Sequence, residues 1–76
     1  MKADATLDCM GLYCPMPIFH TDSKLKELEA GQVLEILTDD EGIKEDMPAW
    51  CRATGNELLG IEEKAGGYKV YIKKSK

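Results

Sequence analysis

Gly11-Leu12-Tyr13-Cys14-Pro15-Met16-Pro17 is the stretch whose reading decides the fold. Two prolines flank Met16 directly after a cysteine, and a helical pattern follows them. Proline has a fixed φ and no amide donor, so it suits the first turn of a helix and breaks a helix interior. Pro15 and Pro17 are therefore read as opening a helix, with Cys14 at or next to its N-cap. The free amides and partial positive charge of a helix N-terminus favour an anion. A thiol placed there is pushed towards thiolate, the reactive form of cysteine. Gly11 permits the tight turn that a strand-to-helix corner needs. The stretch predicts a fixed, exposed and reactive sulfur at such a corner.

On the N-terminal side, residues 5–9 read as a short strand with Leu7 as its apolar anchor. On the C-terminal side the first helix is expected over about 15–29. Ile18, Leu25 and Leu28 share one face there, and Thr21 and Asp22 interrupt the stripe. Gly31 is the expected stop. Residues 32–38 carry the dense run Val33-Leu34-Glu35-Ile36-Leu37, which suits a central strand covered on both faces. Asp39-Asp40-Glu41-Gly42 turns the chain, and acids in such a loop are read as capping and solvation rather than as metal ligands.

The second helix places Ile43, Met47, Trp50, Cys51 and Thr54 on one face. Because Pro48 is costly in a helix interior, the spacing predicts a loose turn over about 42–45, then a main helix over about 47–54. Asp46 then stands near the cap and Gly55 at the end. Residues 56–64 and 67–74 are two strands joined by an Ala65-Gly66-Gly67 hairpin signal. In the last strand Tyr68, Val70 and Ile72 alternate with Lys69, Tyr71 and Lys73, so one face is expected buried and the other wet. The order is βαβαββ. Right-handed crossovers put both helices on one face of a four-stranded sheet, a two-layer α/β (α+β) sandwich.

Seventy-six residues fit one small domain, taken as 1–76, and 43% hydrophobic residues are enough for a thin core. The net charge is −4 and the basic residues are dispersed, which argues against a nucleic-acid-binding surface. No run is long enough to span a membrane, and Met1-Lys2-Ala3-Asp4 leads into no apolar leader segment. Three cysteines leave one over in any disulfide scaffold. A reducing cytoplasmic setting is expected, where cysteines are catalytic, metal-binding or simply buried.

Read in order, these residues resemble the TusA/SirA family of small sulfur-carrier proteins over nearly the full length. Leu7-Asp8-Cys9-Met10-Gly11-Leu12-Tyr13-Cys14-Pro15-Met16-Pro17 is similar to the family signature L-D-x-x-G-L-x-C-P-x-P. Gly31-Gln32-Val33-Leu34, Asp39-Asp40, Asp46-Met47-Pro48-Ala49-Trp50 and Gly55-Asn56-Glu57-Leu58 fall where similar family segments fall. The resemblance implies a mixed sheet of order 1-2-4-3 with the last strand antiparallel to the others. It also implies that Cys14 accepts a sulfane sulfur as a persulfide and passes it on. Donors of the family include cysteine desulfurases and rhodanese-like proteins. Its acceptors lead to tRNA thiolation, cofactor assembly or sulfur oxidation. Three positions depart from the family pattern: Tyr13 replaces a frequent Arg, Glu41 a frequent Pro and Asn56 a frequent His. Tyr13 adds no positive charge beside the thiolate, so the helix end and backbone amides must supply the stabilisation.

Cys14 is thus the expected sulfur-bearing residue, supported by Gly11, Pro15 and Pro17. Tyr13 and Met16 flank it, either as a contact rim for a partner or packed on the domain's own core. Cys9 is a possible secondary thiol across the same corner, although its spacing from Cys14 is not C-x-x-C. Cys51 lies on an apolar stripe and is expected to be buried. His20 falls on another side of the first helix and is a poor base for Cys14. Structural zinc wants four close ligands, and Cys9 and Cys14 are joined in the sequence by no second such pair, so no metal is expected, and no cofactor loop is seen. The expected partners are a sulfur-donor and a sulfur-acceptor protein, without direct nucleic acid or membrane contact, and a monomer is expected. Two other classes remain open: a thiol redox sensor using Cys9 and Cys14, and a regulatory interaction domain in which the cysteines are passengers.

Overall fold

The computed structural model describes residues 3–12, 16–64 and 66–75. Strands β1 (Ala5–Asp8), β2 (Val33–Thr38), β3 (Glu57–Lys64) and β4 (Gly67–Lys73) and helices α1 (Met16–Leu25) and α2 (Ile43–Thr54) follow one another as β1-α1-β2-α2-β3-β4. The sheet order is β1-β2-β4-β3. β1 runs parallel to β2, and β4 runs antiparallel to both β2 and β3. This is the βαβαββ sandwich of order 1-2-4-3 that the sequence and its resemblance led us to expect.

The register explains which side chains meet the helices. Leu34 stands opposite Ala5 and Ile72, Ile36 opposite Leu7 and Val70, and Thr38 opposite Tyr68. Leu34, Ile36, Val70 and Ile72 are fully buried and cluster with Leu25 of α1 and with Ile43, Met47 and Cys51 of α2. The two helices also touch each other, so both lie on this one face. Burial of such side chains, each favourable by about 1.5–3 kcal/mol, is what holds two short layers together.

The register also corrects the expectation that the far face of β4 is wet throughout. Tyr71 points to that face yet is only 3% exposed. It stands opposite Glu35 on β2 and Gly60 on β3. Its hydroxyl donates to Glu35 Oε2 at 2.8 Å. The polar end of the buried ring is thereby satisfied.

Both helices differ from their sequence-based bounds. α1 ends at Leu25, four residues before the expected limit, and the chain tightens through Glu27 N–H to Lys24 O and Leu28 N–H to Leu25 O. Those three-residue bonds use up the last carbonyls of the helix. The Lys74 ammonium donates to Leu28 O at 2.6 Å and fixes the turn that follows. Gly31 serves the start of β2, where its N–H bonds Lys74 O, rather than the end of α1.

α2 is a single helix from Ile43, with Gly42 at its N-cap and Asp46 inside the first turn, in place of a loose turn followed by a shorter helix. Amides of Ile43, Lys44 and Glu45 bond the carbonyls of Asp40, Glu41 and Gly42. The turn before Pro48 is therefore complete in itself, and the proline removes only one ladder bond. Gly55 ends the helix in the left-handed conformation (φ 81°) with its N–H on Cys51 O, as expected.

Candidate functional site

Tyr13, Cys14 and Pro15 lie outside the described residues. The corner is therefore built from what surrounds them in the chain. β1 hands over to it through backbone bonds: Cys9 N–H donates to Leu37 O at 2.7 Å, and Leu12 N–H donates to Cys9 O at 3.1 Å. Asp8 Oδ1 accepts the Met10 N–H at 2.9 Å, a short-range Asx turn. Gly11 follows at φ 83°, a conformation that side chains with a Cβ avoid. Its N–H donates to Asp39 Oδ1 at 3.1 Å, at the far end of β2.

Beyond the corner, α1 opens with Met16 and Pro17. Pro17 is buried in the first turn, where a missing amide costs nothing. The Thr21 hydroxyl, itself fully buried, donates to Pro17 O at 2.7 Å. Thr21 thus belongs to the buried stripe Pro17-Thr21-Leu25, because its one polar group is bonded within the helix. Met16 is 44% exposed, and the first turn of α1 contains no acidic residue.

The other two thiols are in a different situation. Cys9 is fully buried; burial pushes its thiol pKa up, and the adjacent Asp8 carboxylate adds to the rise. Cys51 is buried on α2, where the sequence placed it, and desolvation pushes its thiol up to about 11. Neither is favoured as thiolate. His20 is exposed on α1. Among the described residues no group of three or more His, Cys, Asp or Glu side chains could hold a metal ion. No helix among them is long and apolar enough to cross a membrane.

Two contributions to this corner escaped the sequence reading. Asp8 carried a usable local signal, since aspartate commonly accepts an amide two residues on. Asp39 carried none, because its partner is 28 residues away. Exposed Met10 was also missed. It lines a shallow groove of about 210 Å³ with Leu37, Gly66, Gly67, Tyr68 and Lys69, next to the corner. Gly67 is required there: a Cβ would meet Thr38 O at 2.7 Å.

Fold and corner together define a class: a small two-layer α/β domain with a cysteine-proline segment between its first strand and first helix. Residues 5–74 match the family described as sulfurtransferase TusA, and the chain belongs to that family. It is 43% identical over 74 residues to the putative sulfur carrier protein YrkI of Bacillus subtilis, covering 97% of this chain and 99% of that one. It is 44% identical over 71 residues to the sulfur carrier protein TusA of Pseudomonas entomophila, covering 93% and 89%. It is 45% identical over 74 residues to the putative sulfur carrier protein YrkF of Bacillus subtilis; that match covers 97% of this chain but only 40% of YrkF. Among solved structures, a SirA-like protein of Desulfitobacterium hafniense superposes with a TM-score of 0.75 at 29% identity, over 95% of this chain and 99% of that one. Membership sets the functional class: sulfur carriage within a relay that has a donor protein and an acceptor protein.

Proposed function

We propose that Cys14 is the residue on which this chain carries sulfur. The Cys14 thiolate attacks the outer sulfur of a donor protein's persulfide. A new S–S bond forms on Cys14, the donor's S–S bond breaks, and its electron pair leaves with the donor thiolate. In the second step an acceptor thiolate attacks the outer sulfur of the Cys14 persulfide, and the Cys14 thiolate is released. Each step exchanges one S–S bond for another, so no external oxidant or reductant is consumed.

The observation that carries this reading is the burial of both other thiols, each with its pKa raised. The same burial weighs against a redox sensor built on Cys9 and Cys14, since Cys9 would have to emerge before it reacted. Gly11, Pro15 and Pro17 support the sulfur by shaping the corner, and Tyr13 and Met16 contact the partner. Exposure of Met16 and Met10 supports such a rim. The donor is a cysteine desulfurase or a rhodanese-like protein, and the acceptor is a relay protein. The chain acts as a single domain over 1–76, as a cytoplasmic monomer, without direct contact to nucleic acid or membrane and with no metal or cofactor.

The test is sulfur loading from inorganic polysulfide followed by intact mass. The parent protein is expected to gain the mass of one sulfur atom, reversed by a thiol reductant. Cys14→Ser is expected to gain none, whereas Cys9→Ala and Cys51→Ala load as the parent does. Full loading of Cys14→Ser would overturn the assignment.

A further inference from the structure

Gly11 and Pro17 bracket the cysteine segment, and each is tied down by a bond outside the segment itself. At the downstream end Pro17 is buried and its carbonyl accepts the Thr21 hydroxyl at 2.7 Å. At the upstream end the tie is a single side chain: Asp39 Oδ1 accepts the Gly11 N–H at 3.1 Å. Asp39 is exposed and belongs to the loop that leaves β2, so it contributes nothing to the apolar core. Its neighbour Asp40 has a different task, since Asp40 Oδ1 accepts the Gly42 N–H at 3.0 Å at the start of α2. Two adjacent acids of the same loop thus serve two different corners.

We propose that Asp39 is a positioning residue for sulfur transfer. Through the Gly11 amide its carboxylate fixes the upstream end of the segment that contains Cys14, and so fixes the approach of the sulfur to a partner. The proposal rests on Cys14 as the sulfur-bearing residue. A carboxylate is a strong acceptor for a backbone amide, and a small misplacement of a reacting group is costly in rate. Without this tie the Gly11 end of the segment keeps, among the described residues, only the local bonds of Met10 N–H to Asp8 Oδ1 and of Leu12 N–H to Cys9 O.

The experiment measures the rate of sulfur loading from inorganic polysulfide by intact mass, together with the unfolding midpoint in urea. Asp39→Ala is expected to load about tenfold more slowly, the scale set by one hydrogen bond to a charged group. Asp39→Asn keeps an oxygen acceptor and is expected to load within about twofold of the parent, since the bond itself and not the charge is required. A purely structural role would slow loading only in step with the loss of stability. Asp39→Glu, with its acceptor displaced by a methylene, is expected to load slowly while staying folded, and serves if Asp39→Ala unfolds. Parent-like loading by Asp39→Ala or Asp39→Glu overturns the proposal, and so does an Asp39→Asn variant as slow as Asp39→Ala. Loading that survives Cys14→Ser overturns the Cys14 assignment instead, so the two failures are distinguishable.

Discussion

The molecule makes the same kind of corner twice, and the two are finished differently. Where β2 leads into α2, the chain supplies its own partners. Thr38 Oγ1 accepts the Asp40 N–H, Asp40 Oδ1 accepts the Gly42 N–H, and three loop carbonyls take the next amides. Glu45 and Asp46 in the first turn then add carboxylates at the positive end of the helix. Where β1 leads into α1, acids pin the strand side of the corner through Asp8 and Asp39, and none stands in the first turn of the helix. The second corner has met its electrostatic demand internally. Among the described residues the first supplies no such carboxylate in its helical turn, and the thiolate we propose at Cys14 would fit that place.

The largest effect that this contrast forecasts is in thiol reactivity. Alkylation of the folded protein with iodoacetamide at mildly alkaline pH, read by peptide mass, is expected to label Cys14 first. A thiol raised from 9.0 to about 11 has about a hundredfold less thiolate at a given pH below both values, so Cys51 lags by at least that factor, and Cys9 lags too. The sign for stability follows from the same shift. Cys51 is raised in the folded state, so between pH 9 and about 11 the unfolded chain ionises first. Its stabilising contribution is complete below pH 9 and is lost as pH rises through that window. Equal labelling of all three cysteines in the folded protein would remove the distinction between the corners.

A smaller effect probes the backbone of the first corner. Gly11 sits at φ 83° and a Cβ there would meet nothing within 4 Å. Gly11→Ala therefore tests conformation without a clash. The left-handed region costs an L-residue about 1–2 kcal/mol, and a loss of that size is expected in urea unfolding. A neutral result would mean that the turn relaxes elsewhere, and the tie to Asp39 would then not depend on this geometry.

The sequence was most legible where one local rule decides the outcome. Alternation placed Tyr68, Val70 and Ile72 inward, helical spacing placed Met47 and Cys51 inward, and Gly55 stopped α2, whereas the run in β2, read as covered on both faces, buries Leu34 and Ile36 and leaves Val33 and Leu37 half-buried. It was least legible where a residue answers to something distant. Tyr71 is buried with its hydroxyl bonded to Glu35, which faces it across the β2–β4 ladder, a fact of register that no single strand's pattern contains. Pro48 is tolerated because carbonyls of the preceding loop complete the turn before it. Asp39 was read with Asp40 as a capping pair, and only the placing of β1 beside β2 separates their roles. For Cys14 the order was reversed: motif and resemblance made it conspicuous in the sequence, while it falls outside the described residues.

The smallest effect sharpens the comparison most directly, because it gives the first corner what the second already has. Met16 opens α1 and is 44% exposed, so Met16→Glu changes charge without opening the core. A carboxylate in a first helical turn is favourable by about 0.3–1 kcal/mol, so urea unfolding is expected to show a slight gain in stability. The same carboxylate competes with a thiolate for that helix end. The pKa of Cys14, read from the pH dependence of its alkylation, is expected to rise, and polysulfide loading near neutral pH to slow by about two- to fivefold, the rate equivalent of that energy. Stability and reactivity should therefore move in opposite directions. If both fell together, the substitution would merely have damaged the corner. If the thiol pKa stayed where it was, the positive end of α1 would have no part in ionising Cys14, and the different finish of the two corners would carry no chemistry.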